Sequence, residues 1–400
     1  MPKISLRGKR MPASPIRKLA PLADAARRKG INVFHLNIGQ PDIATPDVAL
    51  EAVRNIDRKI LEYSPSEGQQ KLRVAMSEYY QNFGINITEN DIIVTTGGSE
   101  ALLFAFQACL DAGDELIMTE PTYANYMSFA MSAGVVVKPV VSRIEDAFAL
   151  PPIEAFEALI TPQTKAILIC NPNNPTGYVY TREEMDKIRD LVRKYDLFLI
   201  SDEVYREFCY TETPHISAFH LDGIEDNVVM IDSVSKRYSE CGIRIGMLIT
   251  KNKAVQEAVL KLAQARLSPP LLGQIAATAS FAHTPKGYMK AVYDEYIARR
   301  NFLIEEINKI PGVYSPMPKG AFYTIARFPV EDIDDFCAWL LSDFQYNGST
   351  VMLAPATGFY TEKHNGNNEV RIAYVLEIDN LRKAIEVLRK ALEAYPRKTQ

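Results

Sequence analysis

Cysteine and histidine are scarce in this chain, with five of each among 400 residues. The cysteines are odd in number, widely spaced and without any CxxC pair or Cys/His ligand spacing, which argues against a disulfide framework and a structural metal site. This usage predicts a reducing, cytoplasmic environment. No window approaches the ~18 consecutive apolar residues that a membrane-spanning helix needs, so we expect no membrane span.

A strong excess of charge of either sign is also missing. The formal net charge is −4, with 24% charged and 47% hydrophobic residues, which is ordinary for a globular enzyme and offers no basic field for nucleic acid. The one asymmetry precedes Asp24, where the cations are Lys3, Arg7, Lys9, Arg10, Arg17 and Lys18. Because no apolar h-region follows and prolines interrupt the segment, we expect an exposed terminal arm rather than a targeting peptide.

What the sequence does contain, from about residue 90, is an alternation of short apolar runs with longer helical patterns. The runs predict buried strands at residues 91–96, 115–118, 166–170, 197–200, 228–231 and 246–249. Such alternation indicates an α/β fold with a mostly parallel sheet between two layers of helices. Beyond about residue 286, a long helix and further strands predict a smaller α+β domain, completed by the N-terminal segment.

The predicted organisation therefore has three parts. Residues 1–45 form an N-terminal arm and part of the small domain, residues 46–285 form the large domain, and residues 286–400 form the small C-terminal domain with its linking long helix.

Polar residues follow the predicted strands, at the edge of the sheet where sites in such folds lie. The string GGSE at 97–100 joins a strand to a helix and predicts either an anion cradle or an ordinary turn and cap. Ser233 and Arg244 would supply a hydroxyl and a guanidinium to the same anion. Lys236, between them, is either a nucleophile or a solvated loop residue.

A buried carboxylate is expected at Asp202, directly after an apolar strand. It needs a positive partner, which would be a protonated ring nitrogen or an internal arginine. Tyr205 would hydrogen-bond an oxygen of the same ring, and Tyr123 would stack on its face or belong to the core. The string NPNNPTG at 171–177 holds Asn174 rigidly between two prolines, which a turn alone does not require.

Together these strings resemble the class I (fold type I) pyridoxal-phosphate-dependent aminotransferases, of the aspartate aminotransferase-like kind. The resemblance runs in the family's order over nearly the whole chain, through NIGQPD at 37–42, YSPSEG at 63–68, NPNNPTG at 171–177, DEVY at 202–205, residues 233–246 and Arg371. It implies a pyridoxal 5'-phosphate cofactor, a three-layer large domain, and a homodimer. It also implies transfer of an amino group from an L-amino acid to a 2-oxo acid by a ping-pong mechanism.

The resemblance also implies roles around the cofactor ring. Lys236 would hold the cofactor covalently and then move the proton. Desolvation beside like charges favours its neutral amine, which is the nucleophilic and basic form. Asp202 would keep the pyridine nitrogen protonated, Asn174 and Tyr205 would bind the phenolate oxygen, and Tyr123 would stack on the ring.

The remaining implied roles concern the two anionic groups of the cofactor and the substrate. The phosphate would be held by Gly98, Ser99, Ser233 and Arg244, with Tyr63 from the neighbouring subunit. Arg371 would pair with the substrate's α-carboxylate, near Gly39.

Alternatives remain open at this point. A lyase, decarboxylase or synthase of the same fold would reuse Lys236 and Asp202. A regulator with a DNA-binding module is disfavoured because residues before 37 leave too little room for one. Aspartate or glutamate is the first choice of donor, with aromatic, alanine-type or broad specificity next.

Neither of the family's usual residues for binding a substrate's distal carboxylate is found in this sequence. Some bacterial aspartate aminotransferases of this family carry a lysine where this chain has Ser99, and others use an arginine of the neighbouring subunit, at a position that falls near Ala263. Arg266 lies close by and is either a substitute or a solvated surface residue.

Overall fold

The computed structural model describes residues 2–362 and 364–396. Its strands are β1 (Asn32–His35), β2 (Ile92–Thr95), β3 (Glu115–Glu120), β4 (Val136–Val141), β5 (Thr164–Cys170), β6 (Phe198–Asp202), β7 (Val228–Ser233), β8 (Gly246–Ile249), β9 (Tyr323–Arg327), β10 (Ser349–Met352), β11 (Ala354–Pro355) and β12 (Glu369–Ala373).

Helices occupy much of the chain between these strands. They are α1 (Leu6–Arg10), α2 (Ala20–Arg28), α3 (Asp47–Arg54), α4 (Gln70–Gln81), α5 (Gly97–Cys109), α6 (Asn125–Ala133), α7 (Ile153–Glu157), α8 (Arg182–Tyr195), α9 (Val234–Arg237), α10 (Lys253–Arg266), α11 (Leu271–His283), α12 (Tyr288–Ile307), α13 (Ile333–Ser342) and α14 (Ile378–Ala394). Among the helices described, none is both long and apolar enough to cross a bilayer.

The central sheet has seven strands in the order β2-β8-β7-β6-β5-β3-β4. Strands β7, β6, β5, β3 and β4 are parallel to one another, whereas β8 is antiparallel to both β2 and β7. The predicted α/β fold with a mostly parallel sheet is confirmed. The edge strand β4 was not predicted, because Lys138 and Pro139 break its apolar run, and proline is tolerated in strands mainly at such an edge.

Alternate residues of β5 enter two separate apolar cores. Leu168 and Cys170 belong to one buried cluster, and Ile167 and Ile169 belong to the other. Since successive side chains of a strand point to opposite faces, helices must cover both faces of the sheet. The three-layer arrangement follows from that double burial.

The C-terminal region forms smaller sheets, to which the N-terminal segment contributes. β1 pairs in parallel with β10, and β11, β12 and β9 form an antiparallel sheet. The pairing of β1 supports the expectation that N-terminal residues complete this region. The domain boundaries at 45/46 and 285/286 stay predictions.

The segment before β9 packs closely against the loop at 171–177. The backbone amides of Lys319 and Gly320 both donate to the carbonyl of Gly177 at 2.8 Å. A Cβ on Gly320 would lie 2.6 Å from Val179 Cγ2 and 2.7 Å from the carbonyl oxygen of Phe208. This close approach fixes the start of β9, and hence Tyr323, beside the carboxyl edge of the central sheet.

Gly320→Ala should therefore destabilise the protein by roughly 1–3 kcal/mol, because backbone and core atoms must move to admit the methyl group. The midpoint of urea unfolding measures the change. The control is Gly287→Ala, whose added Cβ would have no atom within 4 Å and should change the free energy of unfolding by less than about 0.5 kcal/mol. Equal midpoints for the two variants would contradict the packing argument.

Candidate active site

A cavity of about 260 Å³ lies at the carboxyl ends of β5, β6 and β7. Nearly all of the residues predicted for the site line it, namely Gly39, Gly98, Ser99, Tyr123, Asn174, Asp202, Tyr205, Ser233, Lys236, Arg244 and Arg371. The exception is Tyr63, whose side chain is outside the cavity and whose exposed fraction is 79%.

Lys236 reaches the cavity from the short helix α9, which directly follows β7. The hydroxyl of Ser233 caps that helix by accepting a hydrogen bond from the Ser235 amide at 3.0 Å. The lysine Nζ donates to the carbonyl of Gly39 at 2.8 Å and lies 3.9 Å from Cys241 Sγ. Lys236 is therefore a half-buried residue of the cavity, not a residue of a solvated loop.

Asp202 ends β6 and is buried in the cavity wall. Tyr126 Oη donates to its Oδ2 at 2.5 Å, and the Val204 amide donates to its Oδ1 at 3.3 Å. Burial raises the pKa of this carboxyl to about 6, against the lowering effect of the two hydrogen bonds. Within residues 2–362 and 364–396 no arginine forms an ion pair with it, so of the two positive partners that the sequence allowed, the internal arginine is not found and the protonated ring nitrogen remains.

A chain of polar contacts joins Arg371 to Tyr205. Arg371 donates through Nη1 to Asn174 Oδ1 at 3.0 Å and through Nη2 to the Asn37 carbonyl at 2.5 Å. Asn174 Nδ2 lies 3.5 Å from Tyr205 Oη, which is 3.1 Å from Tyr323 Oη. Arg371 is 1% exposed, and its Nε has no hydrogen-bond partner among the described residues. A buried guanidinium bonded only to neutral groups is ready to bind an anion.

Arg244 lies beside the N-terminus of α5. A Cβ on Gly97 would be 2.3 Å from Arg244 Nη2, and a Cβ on Gly246 would be 2.4 Å from the carbonyl carbon of Gly97. Glycine at both positions therefore lets a guanidinium approach a helix end that is itself partly positive. The hydroxyl-bearing residues Ser99 and Ser233 also line the cavity. This arrangement favours an anion such as a phosphate.

Arg266 does not line the cavity. It donates to Glu100 Oε2 at 2.6 Å and to the Ser66 carbonyl at 3.0 Å, and its side chain is only 15% exposed. The expectation of a solvated surface arginine is wrong. Because Arg266 is already paired with Glu100, it is unsuited to bind the carboxylate of a substrate in this chain's cavity.

Several cavity residues were not predicted from the sequence. Tyr126 and Tyr323 are single tyrosines whose partners, Asp202 and Tyr205, are distant in the chain, and no local motif marked them. Residues 2–13 are exposed, as predicted for a terminal arm, but Ser14, Ile16 and Arg17, which follow them, line the cavity. The one available signal in the sequence was Pro15, which restricts the backbone just before Ile16.

The chemical groups of the cavity match the ends of pyridoxal 5'-phosphate. The cradle at Arg244 suits a phosphate, the amine of Lys236 suits an aldehyde, and the buried carboxylate of Asp202 suits a protonated ring nitrogen. The residues present therefore fit that cofactor.

Comparison with known proteins agrees with this geometry. Residues 31–388 match the family described as aminotransferase class I and II. An aspartate aminotransferase of Thermotoga maritima is 33% identical over 386 residues, covering 96% of this chain and 97% of the relative. Solved structures of Thermus thermophilus aspartate aminotransferase with maleate and of a Pyrococcus furiosus alanine aminotransferase superpose with TM-scores of 0.88 and 0.89. Their identities are 30% and 31%, and each comparison covers 98% of this chain and 100% of the other.

Asp202→Asn should stabilise the cofactor-free protein above pH 6. The carboxyl pKa is higher in the folded state than its ordinary 3.8, so the stability that Asp202 contributes is greatest at low pH and falls as pH rises from about 4 to about 6. The variant should exceed the wild type by on the order of 1–3 kcal/mol at pH 8, with a smaller difference at pH 5. Thermal unfolding at the two pH values measures this, and a pH-independent difference would contradict it.

Proposed function

The chain belongs to the class I and II aminotransferases, and from that premise we propose that it is a pyridoxal-phosphate-dependent enzyme acting by a ping-pong mechanism. It would take the amino group of an L-amino acid and transfer it to a 2-oxo acid. The observation that carries the proposal is that one cavity is lined by Lys236, by the buried carboxylate of Asp202 and by Arg371, whose guanidinium is bonded only to neutral groups and has an unpartnered Nε among the described residues.

Each part of the cofactor has protein groups suited to hold it. Asp202 would hold the positive ring nitrogen, while Asn174 and Tyr205 would hydrogen-bond the ring oxygen. Tyr123, which lines the cavity half-buried, would pack on the ring. The phosphate would be bound by Gly98, Ser99, Ser233 and Arg244. When bound, the cofactor supplies an electron-withdrawing ring that stabilises negative charge at the substrate's Cα.

The substrate would be positioned by Arg371 and moved through its reaction by Lys236. The guanidinium of Arg371 would bind the α-carboxylate, and its contacts to Asn174 and Asn37 orient it before any substrate arrives. Lys236 Nζ would take the proton from the substrate's Cα and would then deliver it to the cofactor. Holding the carboxylate in a strong charge-assisted pair favours proton transfer over its loss as CO₂, which favours a transaminase over a decarboxylase.

The identity of the donor is less constrained than the reaction. Aspartate or glutamate is the first choice, supported by the aspartate aminotransferases among the similar proteins. The alanine aminotransferase that superposes equally well supports alanine-type or broad specificity as the alternative. A panel of amino donors against 2-oxoglutarate and pyruvate distinguishes them.

A homodimer with Tyr63 in the partner's site is part of the proposal. Tyr63 is 79% exposed, and the nearby Ile60 and Leu61 are 74% and 61% exposed. Such clustered apolar exposure is typical of a surface that another protein covers. A second copy would cover it symmetrically, so that each Tyr63 completes the other phosphate site. A cytoplasmic location is proposed from the five free cysteines.

Lys236→Ala should abolish covalent attachment of the cofactor and lower transamination by several orders of magnitude, because no other lysine lines the cavity described here. After borohydride treatment, peptide mass spectrometry should find the cofactor on Lys236 of the wild type only. Lys236→Arg is the control that keeps the positive charge, and it should be equally inactive. Attachment at another lysine with normal turnover would refute the assignment.

Tyr63→Phe should weaken phosphate binding without separating the subunits, because it removes one hydroxyl and keeps the apolar ring. We expect a dimer with two cofactors by analytical ultracentrifugation, and an affinity for the cofactor about 3- to 10-fold lower in the variant. A stable monomer with full activity would contradict both the dimer and the role of Tyr63.

A further inference from the structure

The cavity contains more positive charge than the cofactor phosphate and one carboxylate require. Its lining includes Arg17, Lys236, Arg244 and Arg371 but only one acid, Asp202. On the proposed function, Lys236 and Asp202 serve the cofactor, Arg244 the phosphate and Arg371 the α-carboxylate. Arg17 is then a cation of the cavity without an assigned anion.

No side chain or carbonyl in the described part of the chain binds the guanidinium of Arg17. The next residue behaves differently, since Lys18 forms an ion pair with Asp334 at the start of α13. Arg17 and Lys18 are thus adjacent cations of one turn that differ in whether the protein supplies a carboxylate partner. One is neutralised by the protein, and the other is left unpaired at the cavity.

The turn that carries Arg17 is held in place by packing. A Cβ on Gly358 would lie 2.3 Å from Pro15 Cβ, so the two segments are in close contact. Leu19 is 8% exposed and belongs to a core cluster. Arg17 therefore extends from an anchored turn, although its own side chain is exposed.

Asn37 links this turn to the arginine proposed for the α-carboxylate. Its Nδ2 donates to the carbonyl of Ile16 at 2.8 Å, and its carbonyl accepts from Arg371 Nη2 at 2.5 Å. One buried asparagine thus sets the position of both arginine-bearing segments. A substrate with carboxylates at both ends would find a planar fork for each of them.

We propose that Arg17 binds the distal carboxylate of dicarboxylic substrates and so determines the preference for acidic amino acids. This inference deepens the proposed function and rests on it. The other positions considered in this chain are unsuited to bind a distal carboxylate, because Ser99 and Ala263 are uncharged and Arg266 is paired with Glu100. Because the guanidinium is exposed, monocarboxylic substrates would leave it solvated at little cost.

Arg17→Gln in the holoenzyme tests the proposal. We expect kcat/KM for L-aspartate and L-glutamate to fall about 10- to 100-fold, as for loss of a charge-assisted hydrogen bond, and kcat/KM for L-alanine to stay within about 2-fold. Binding of succinate, a non-reacting dicarboxylate, should weaken by a similar factor in calorimetry, whereas binding of propionate should not change. Arg17→Lys should recover part of the lost binding.

Two further variants serve as controls. Arg28→Gln makes the same change of net charge at an exposed position of α2 and should leave all values unchanged. Arg371→Gln should impair every donor alike. The proposal is overturned if Arg17→Gln leaves acidic donors and succinate unaffected, or if it impairs alanine equally, which would indicate a structural role for the turn.

Different results would refute the role of Arg17 and the aminotransferase activity. If the wild type transaminates alanine but does not distinguish succinate from propionate, Arg17 has no such role and the aminotransferase assignment stands. If the wild type transaminates no donor, the proposed function fails. The succinate measurement then decides the role of Arg17 independently of turnover.

Discussion

The buried carboxylate of Asp202 is the constraint on which the cavity depends. Its hydrogen-bond partners are a phenol and a backbone amide, no cation of the described residues forms an ion pair with it, and burial raises its pKa to about 6. Elsewhere in the same cavity, Arg244 and Arg371 donate to neutral groups and form no ion pair with a carboxylate of the described residues. The cavity thus has an unpaired negative group at Asp202 and unpaired positive groups at Arg244 and Arg371. A ligand with a positive ring nitrogen and anionic substituents corrects both imbalances, whereas an apolar ligand would correct neither.

The antiparallel strand in an otherwise mostly parallel sheet has a direct consequence for the site. The parallel strands β6 and β7 end at the cavity, so they deliver Asp202 and Ser233 from their last residues. β8 runs the other way and pairs its first residue, Gly246, with Ser233 on one side and Thr95 on the other. The residues before β8 therefore lie at the same edge, and this brings Arg244 to the start of α5. A parallel β8 would have carried that arginine to the opposite edge of the sheet.

The sequence was informative wherever a functional residue is fixed by its own strand. Asp202 and Lys236 follow apolar runs, and a run that ends in a polar residue places that residue at the sheet edge regardless of what packs nearby. Tyr126 and Tyr323 could not be predicted in this way, because their positions depend on how α6 and β9 pack against distant segments. Arg266 was misjudged for the same reason, since its ion pair with Glu100 joins α10 to α5. The family and the fold class were predictable because several such local strings occur in one order.

The arginines of the cavity differ in burial, and that difference bears on what each can do. Arg371 is nearly inaccessible and is held by neutral hydrogen-bond acceptors, so an empty site leaves a costly unpaired charge and a bound carboxylate relieves it. Such a residue suits the group that every amino acid shares. Arg17 is exposed on an anchored turn, and water solvates it when no anion is present. An exposed charge increases the affinity for a substrate with an acidic side chain but reduces the affinity for one with a neutral side chain only slightly. Placing the obligatory contact deep and the selective contact at the mouth therefore allows one cavity to prefer acidic donors while still admitting others.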